Sequence, residues 1–201
     1  MMIIPKTPTS LWNVAPEPWK NGAGITRTLA SGRDAGGNLA WRVSVAEIEH
    51  SGPFSVFPDI ERIAVVLENG PLRLSDSAVQ GHVATPRVLA RQYVPTTYPG
   101  ELELFVDVAC APIRCLNVLT RRGSASADVR VLDADGQLAP SPATVLFATR
   151  GGTWGLTVSG VASTLHLAPY ESMVLPAGCS IHAVRNGDAG RLVAVRLQDA
   201  H

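Results

Sequence analysis

The residues best suited to chemistry lie between positions 18 and 122. Pro18-Trp19-Lys20-Asn21-Gly22-Ala23-Gly24-Ile25-Thr26-Arg27 sets an aromatic ring, a lysine, an amide and an arginine around a glycine turn. In Trp41-Arg42-Val43-Ser44-Val45-Ala46-Glu47, strand alternation puts Arg42 and Ser44 on one face and Trp41, Val43 and Val45 on the other. An arginine among apolar strand neighbours is costly to bury unless a carboxylate, from the protein or from a ligand, meets it. Arg62 follows the aromatic run Gly52-Pro53-Phe54-Ser55-Val56-Phe57-Pro58, and Asn117 precedes Arg121-Arg122. Guanidinium forks match carboxylates through two parallel N–H bonds. These types predict recognition of a small acid: Lys20, Arg27, Arg42 and Arg62 for carboxylates, and Asn21, Thr26, Ser44 and Asn117 for a further polar group such as an amide, with Trp19 beside the turn.

Other uses of the same residues stay open. The cations also suit ion pairs with Glu47, Asp59, Glu61 and Glu68, and for Arg121 and Arg122, at the end of a strand, that reading is preferred. Trp19, Trp41, Phe54 and Phe57 suit a core as well as stacking on a planar ligand. A metal-free isomerase or hydrolase of a small acidic amide would use Glu47 as general base, with Lys20 or Arg27 stabilising an oxyanion. Against it stands the lack of a Ser-His-Asp or Cys-His arrangement or of paired carboxylates. An interaction module without a small ligand is the third reading. The histidines, at 50, 82, 166, 182 and 201, form no HxH, HxxH or HExxH, so no catalytic metal is predicted. The glycine turn lacks the GxxxxGK[ST] spacing of a phosphate loop, and neither a nucleotide nor any other cofactor is predicted. Cys110, Cys115 and Cys179 form no CxxC pair and read as core thiols.

The elements that must position these side chains read as β-strands. The chain has 201 residues, 17 Lys+Arg against 17 Asp+Glu, 46% apolar residues and only 17% charged ones. That supplies a core for one domain or two small lobes, and its zero net charge argues against nucleic acid as a partner. Apolar runs such as Ile63–Leu67 are too short to cross a bilayer, and MMIIPKTPTS lacks the basic and long apolar regions of a signal peptide, so no membrane partner and a cytoplasmic location are expected. Runs rich in Val, Leu, Ile and Thr at Trp41–Ile48, Arg62–Leu67, Leu102–Val108, Ile113–Leu119, Val129–Leu132, Thr144–Ala148, Gly155–Val158, Ser163–Leu167, Ser172–Leu175 and Arg191–Leu197 alternate with Gly and Pro, which predicts an all-β sandwich or barrel with few short helices. An echo supports two lobes: Ala64–Leu74 and Val145–Leu156 each read as apolar strand, glycine turn, second strand. Exposed sheet edges make a homodimer an open option.

Two resemblances follow. Pro176, Gly178, His182 and Asn186 resemble the second sequence motif of cupins, with one residue too many before the histidine. The blocks PWKNGAGITR, WRVSVAEIE, SGPFSVFPDIER and LNVLTRR, in that order, closely resemble the HutD/Ves family. The resemblance implies a two-lobed, cupin-like (bicupin) fold in a cytoplasmic bacterial protein, with an N-terminal lobe over 1–122 and a C-terminal lobe over 123–201. It also implies a link to histidine utilisation, binding of a late acidic intermediate such as formylglutamate, and a regulatory rather than catalytic role. Ala23 stands where many relatives carry glycine, Asn69-Gly70 suits a hairpin turn, and Ser75 to Gln92 matches no family block.

Overall fold

The computed structural model describes residues 7–76, 86–187 and 189–199. His82, His201 and residues 77–85 of the unmatched stretch from Ser75 to Gln92 lie outside the described residues. In chain order the strands are β1 (Thr9–Ser10), β2 (Glu17–Pro18), β3 (Gly24–Arg33), β4 (Leu39–Ile48), β5 (Gly52–Pro53), β6 (Ile60–Glu68), β7 (Leu72–Asp76), β8 (Val88–Ala90), β9 (Thr96–Pro99), β10 (Leu104–Asp107) and β11 (Ile113–Arg121). They continue with β12 (Ala125–Leu132), β13 (Gly136–Leu138), β14 (Ala143–Ala148), β15 (Thr153–Val158), β16 (Leu165–Leu167), β17 (Glu171–Pro176), β18 (Ile181–Asn186) and β19 (Leu192–Asp199). Among the described residues the one helical element is the 3-10 turn Leu11–Asn13, capped by the Ser10 side chain.

The described residues fall into two compact units, one within 15–124 and one comprising 125–199 with 7–14. Thr9 and Ser10 of β1 pair with Ser172 and Glu171 of β17, which ties the N-terminal segment to the second unit. Each unit is a sandwich of two antiparallel sheets, not closed into a barrel. The first stacks a six-stranded sheet, β2-β3-β4-β11-β6-β9, on a four-stranded one, β5-β10-β7-β8. Alternate residues of the two inner faces build its core: Ala46, Ala64, Val66 and Cys115 from the larger sheet meet Leu72, Leu74, Leu104 and Val106 from the smaller. The second unit stacks β1-β17-β14-β19-β12 on β13-β18-β15-β16, with the fully buried Trp154 in its core.

Apart from β1, β2 and β3, the second unit repeats the strand order of the first with an offset of eight strands. The echo seen in the sequence marks one step of that repeat: β6 to β7 and β14 to β15 each cross from the larger sheet to the smaller. Asn69-Gly70 therefore joins two sheets instead of closing a hairpin, with Asn69 in the left-handed region at φ 57° and its side chain donating to the Pro112 carbonyl at 2.9 Å. In the second unit Gly151 and Gly152 take the same role at φ 83° and 64°. At Gly152 a Cβ would run into the Ala189 carbonyl oxygen, so the step requires glycine there.

Candidate functional site

The glycine turn between β2 and β3 is built from its own polar atoms. Asn21 accepts from the Ala23 amide at 3.1 Å and donates to the Pro53 carbonyl at 3.1 Å, pinning the turn to β5. Gly22 supplies a φ of 69°, and at Gly24 any Cβ would meet the Glu47 carbonyl oxygen of β4. Ala23 is not among the residues of positive φ, so its methyl group costs nothing. Trp19 donates from its indole to Thr26 Oγ1 at 2.8 Å and packs edge-on to Phe54, with centroids 5.8 Å apart. The turn is thus a braced wall, with Lys20 exposed on it.

The inner face of the larger sheet supplies the floor. Register places Arg42, Leu119 and Arg62 side by side across β4, β11 and β6, and Ser44, Asn117 and Ala64 in the next row. Ala46, Cys115 and Val66 continue the face into the core. Strand spacing sets the two arginine backbones about 10 Å apart, on either side of Leu119. Over this face opens a cavity of about 570 Å³, lined among others by Glu17, Trp19, Lys20, Asn21, Thr26, Arg42, Ser44, Phe54, Ser55, Phe57, Arg62 and Asn117. Small-molecule sites span ~300–1,000 Å³.

Arg62 is the unusual member. It is only 5% exposed, yet no carboxylate of the described residues reaches it: its guanidinium donates to the Ser55 carbonyl at 3.1 Å and its Nε has no acceptor. Three rings surround it, Phe54 at 4.4 Å, Tyr98 at 5.1 Å and Phe57 at 5.4 Å from the guanidinium carbon. Burial lowers its pKa, the charge of Arg42 adds to the lowering, and only ionised forms of Tyr98 and Cys115 would oppose it. Arg42 makes no ion pair among the described residues, and its Nε is also buried without an acceptor. Beneath them burial pushes the Tyr98 phenol and the Cys115 thiol each up to about 12. Both stay neutral at ordinary pH and contribute no counter-charge. Glu17, which accepts from Thr28 Oγ1 at 3.0 Å, is the one carboxylate among the described residues that lines the cavity.

Of the residues predicted from sequence, Trp19, Lys20, Asn21, Thr26, Arg42, Ser44, Arg62 and Asn117 line this cavity, and Arg27 does not. Strand alternation sends Thr26 inward and Arg27 to the opposite face, where it meets Glu47 at 3.4 Å. Glu47 shares that outer face: Arg114 binds it at 2.9 Å and bridges onward to Glu68. A carboxylate held between two guanidiniums on the outer face is not placed as a general base for the cavity. Asn21 spends its polar atoms on the turn. Arg121 donates to the Leu39 carbonyl at 3.1 Å, and Arg122 forks onto Glu101 at 2.7 and 2.8 Å while also reaching Glu61, holding the Glu101 carboxyl down at about 2. Glu17 and Tyr98 were missed by sequence reasoning. Their only signal is cross-strand: Glu17 sits opposite Thr26, and Tyr98 opposite Arg62.

Among the described residues no helix is long and apolar enough to span a membrane, and no group of His, Cys, Asp and Glu side chains is arranged to hold a metal ion.

Known proteins resemble both the sequence and the fold. Protein Ves of Citrobacter koseri is 34% identical over 139 residues, 69% of each chain. HutD from Pseudomonas fluorescens SBW25 superposes with a TM-score of 0.76 at 19% identity, covering 97% of this chain and 99% of its own. A mutant of Bacillus subtilis oxalate decarboxylase matches 100% of this chain and 78% of its own with a TM-score of 0.64 at 8% identity, which places the sandwich among cupin-like folds. The HutD family model matches residues 12–192. The braced PWKNGAG turn and the arginine-bearing strands that frame the cavity all lie inside that match, and the chain belongs to the HutD family.

Proposed function

We propose that the chain binds a small acidic metabolite of the formylglutamate type in the cavity of its first unit and acts as a regulator, not a catalyst, in histidine utilisation. Family membership supports the link to histidine utilisation. One observation carries the ligand class: two arginines, Arg42 and Arg62, present buried guanidinium atoms at one cavity with no carboxylate among the described residues to meet them. A buried cation without a counter-charge costs several kcal/mol, and an acid entering between the arginines relieves that cost while gaining forked hydrogen bonds. Ser44 and Asn117, in the row behind the arginines, suit a formyl or amide oxygen or nitrogen. Lys20, on the wall, closes on a second carboxylate. Binding then orders the cavity mouth around Lys20, and that population shift is what a partner would read.

The test is a thermal-shift and calorimetric screen with urocanate, imidazolone propionate, formiminoglutamate, formylglutamate and glutamate, on the wild type and Arg42→Ala. An acid at about a hundred times its Kd adds roughly 2.7 kcal/mol, or about 5–10 °C for a chain of this size. A shift with one acid that disappears in Arg42→Ala is expected. A flat panel, or equal shifts in both proteins, overturns the reading, and disappearance of the acid from solution replaces the regulator with an enzyme.

A further inference from the structure

We propose that Glu17 is the specificity determinant of this cavity, selecting acids that carry a cationic N–H donor over acids of the same size that carry none. The proposal rests on the acid-binding reading and names the class of acid. Lys20, Arg42 and Arg62 line the cavity, and Glu17 is the one carboxylate among the described residues there. It is not a counter-ion for those cations: no ion pair joins it to Lys20, Arg42 or Arg62, and it stands exposed at the β2 edge, where an entering ligand can meet it.

Its direction is fixed by the sheet. Glu17 lies directly opposite Thr26 across β2 and β3, and residues opposite one another share a face; Thr26 lines the cavity. Trp19, two residues on from Glu17, lines it too and is bonded to that same threonine. Thr28, next along the inner face, donates its hydroxyl to Glu17 Oε1 at 3.0 Å. That contact orients the carboxylate and leaves Oε2 without a bond to the described residues. An oriented acceptor in a cavity otherwise lined by cations repels a plain dicarboxylate. It attracts one whose far end carries an amidinium, ammonium or imidazolium N–H. The arginines hold the carboxylates over β4 and β6, while Glu17 reads the donor at the β2 edge.

The experiment measures Kd by calorimetry for N-formimino-L-glutamate and N-formyl-L-glutamate. These have the same skeleton and the same two carboxylates, and they differ in whether the terminal group is an amidinium or a neutral carbonyl. The proteins are the full chain and Glu17→Gln, which keeps an amide oxygen for Thr28. The wild type is expected to favour the formimino acid by about two- to fivefold, the scale of one exposed charge contact. In Glu17→Gln the formimino acid should weaken while the formyl acid tightens, so that the preference disappears or inverts. If both acids tighten together, Glu17 contributes only a general field, and if both weaken together it is structural; either result overturns the assignment. An unchanged ratio overturns it as well, with the acid-binding reading intact. Binding of neither acid to either protein removes the acid-binding reading itself.

Discussion

Replacing Arg62 with methionine separates a ligand clamp from a structural cation. In the folded protein the guanidinium gains from three rings, at 4.4, 5.1 and 5.4 Å, and from one hydrogen bond to the Ser55 carbonyl. Desolvated cation–π contacts are worth up to ~2 kcal/mol, and a hydrogen bond to a charged group ~1.5–3 kcal/mol. Against these stands the cost of holding a cation at 5% exposure with no carboxylate, which is several kcal/mol. The two sides nearly cancel, and methionine keeps most of the packing against Phe54 and Tyr98. Arg62→Met should therefore shift stability by no more than about 1.5 kcal/mol in either direction, or roughly 5 °C in Tm. Acid binding should fall by about 2–4 kcal/mol, some 30- to 1,000-fold in Kd, because a desolvated carboxylate loses its partner. Urea unfolding and calorimetry on the same preparations read the two quantities. A stability loss above about 3 kcal/mol with Kd unchanged would refute the argument, since Arg62 would then be holding the aromatic cluster together and nothing more.

Three other substitutions probe the surroundings. Arg27→Ala removes one of the two guanidiniums on Glu47, with both partners mostly buried, and should cost about 1–3 kcal/mol in urea unfolding while leaving the Kd of an acid within about twofold; a lost Kd with unchanged stability would bring Arg27 into the site. Tyr98→Phe removes a buried hydroxyl that has no partner among the described residues. The folded state keeps the phenolic proton up to about 12 where the unfolded chain releases it near 10, so this group's stability is intact below pH 10 and declines as pH rises toward 12. Cys115, shifted from 9 to about 12, starts the same decline earlier. Unfolding followed from pH 8 to 11 should fall less steeply in Tyr98→Phe, and an identical slope would show that the phenol titrates freely in the fold. Gly24→Ala drives a methyl group into the Glu47 carbonyl and should detach the turn from β4, costing about 2–3 kcal/mol and weakening acid binding along with stability; a neutral result in both assays would mean the strands separate there without strain.

Much of the fold was legible because burial imposes period two. Ile60–Glu68 and Ile113–Arg121 are central strands covered on both faces, and their mostly apolar residues, such as the run Ile63–Leu67, stand out in the sequence. Gly24–Arg33 was harder to see. It holds two glycines and two arginines, is nowhere buried beyond its first residue, and borrows its regularity from pairing with β4. Ile181–Asn186 carries His, Arg and Asn on a half-exposed strand and was read as a motif, not as an element. The site divides the same way. Alternation separated Arg42 and Ser44 from Val43 correctly because Trp41–Glu47 is an uninterrupted strand. The same rule applied to Ile25–Arg27 needed a register for β3 that only pairing supplies, so Arg27 and Thr26 were grouped although they face apart. Glu17 and Tyr98 belong to short strands of two and four residues, whose role comes from the neighbour across the sheet.

The duplicated architecture isolates what makes one lobe a candidate for binding. Both units run the same strand order, and both carry arginine on the inner face of the larger sheet. In the second unit that residue is Arg196, two positions beyond the core residue Ala194 on β19. It lies directly opposite Asp128 on β12 and is bonded to it at 3.0 Å, with Arg130 on the same carboxylate at 3.3 Å. On its other side Thr144 pairs with Ser141, hydroxyl to hydroxyl at 2.9 Å. An inward arginine in this fold therefore has a ready internal solution, a carboxylate one strand away. The first unit places Leu119 beside both Arg42 and Arg62, and in the row behind them Asn117 faces Ser44. Neither neighbour can neutralise a guanidinium. Since the backbone plan is common to both lobes, the plan does not select the function. The difference is that one lobe completes its ion pair within the chain, while the other leaves two guanidiniums beside a cavity with no ion pair among the described residues.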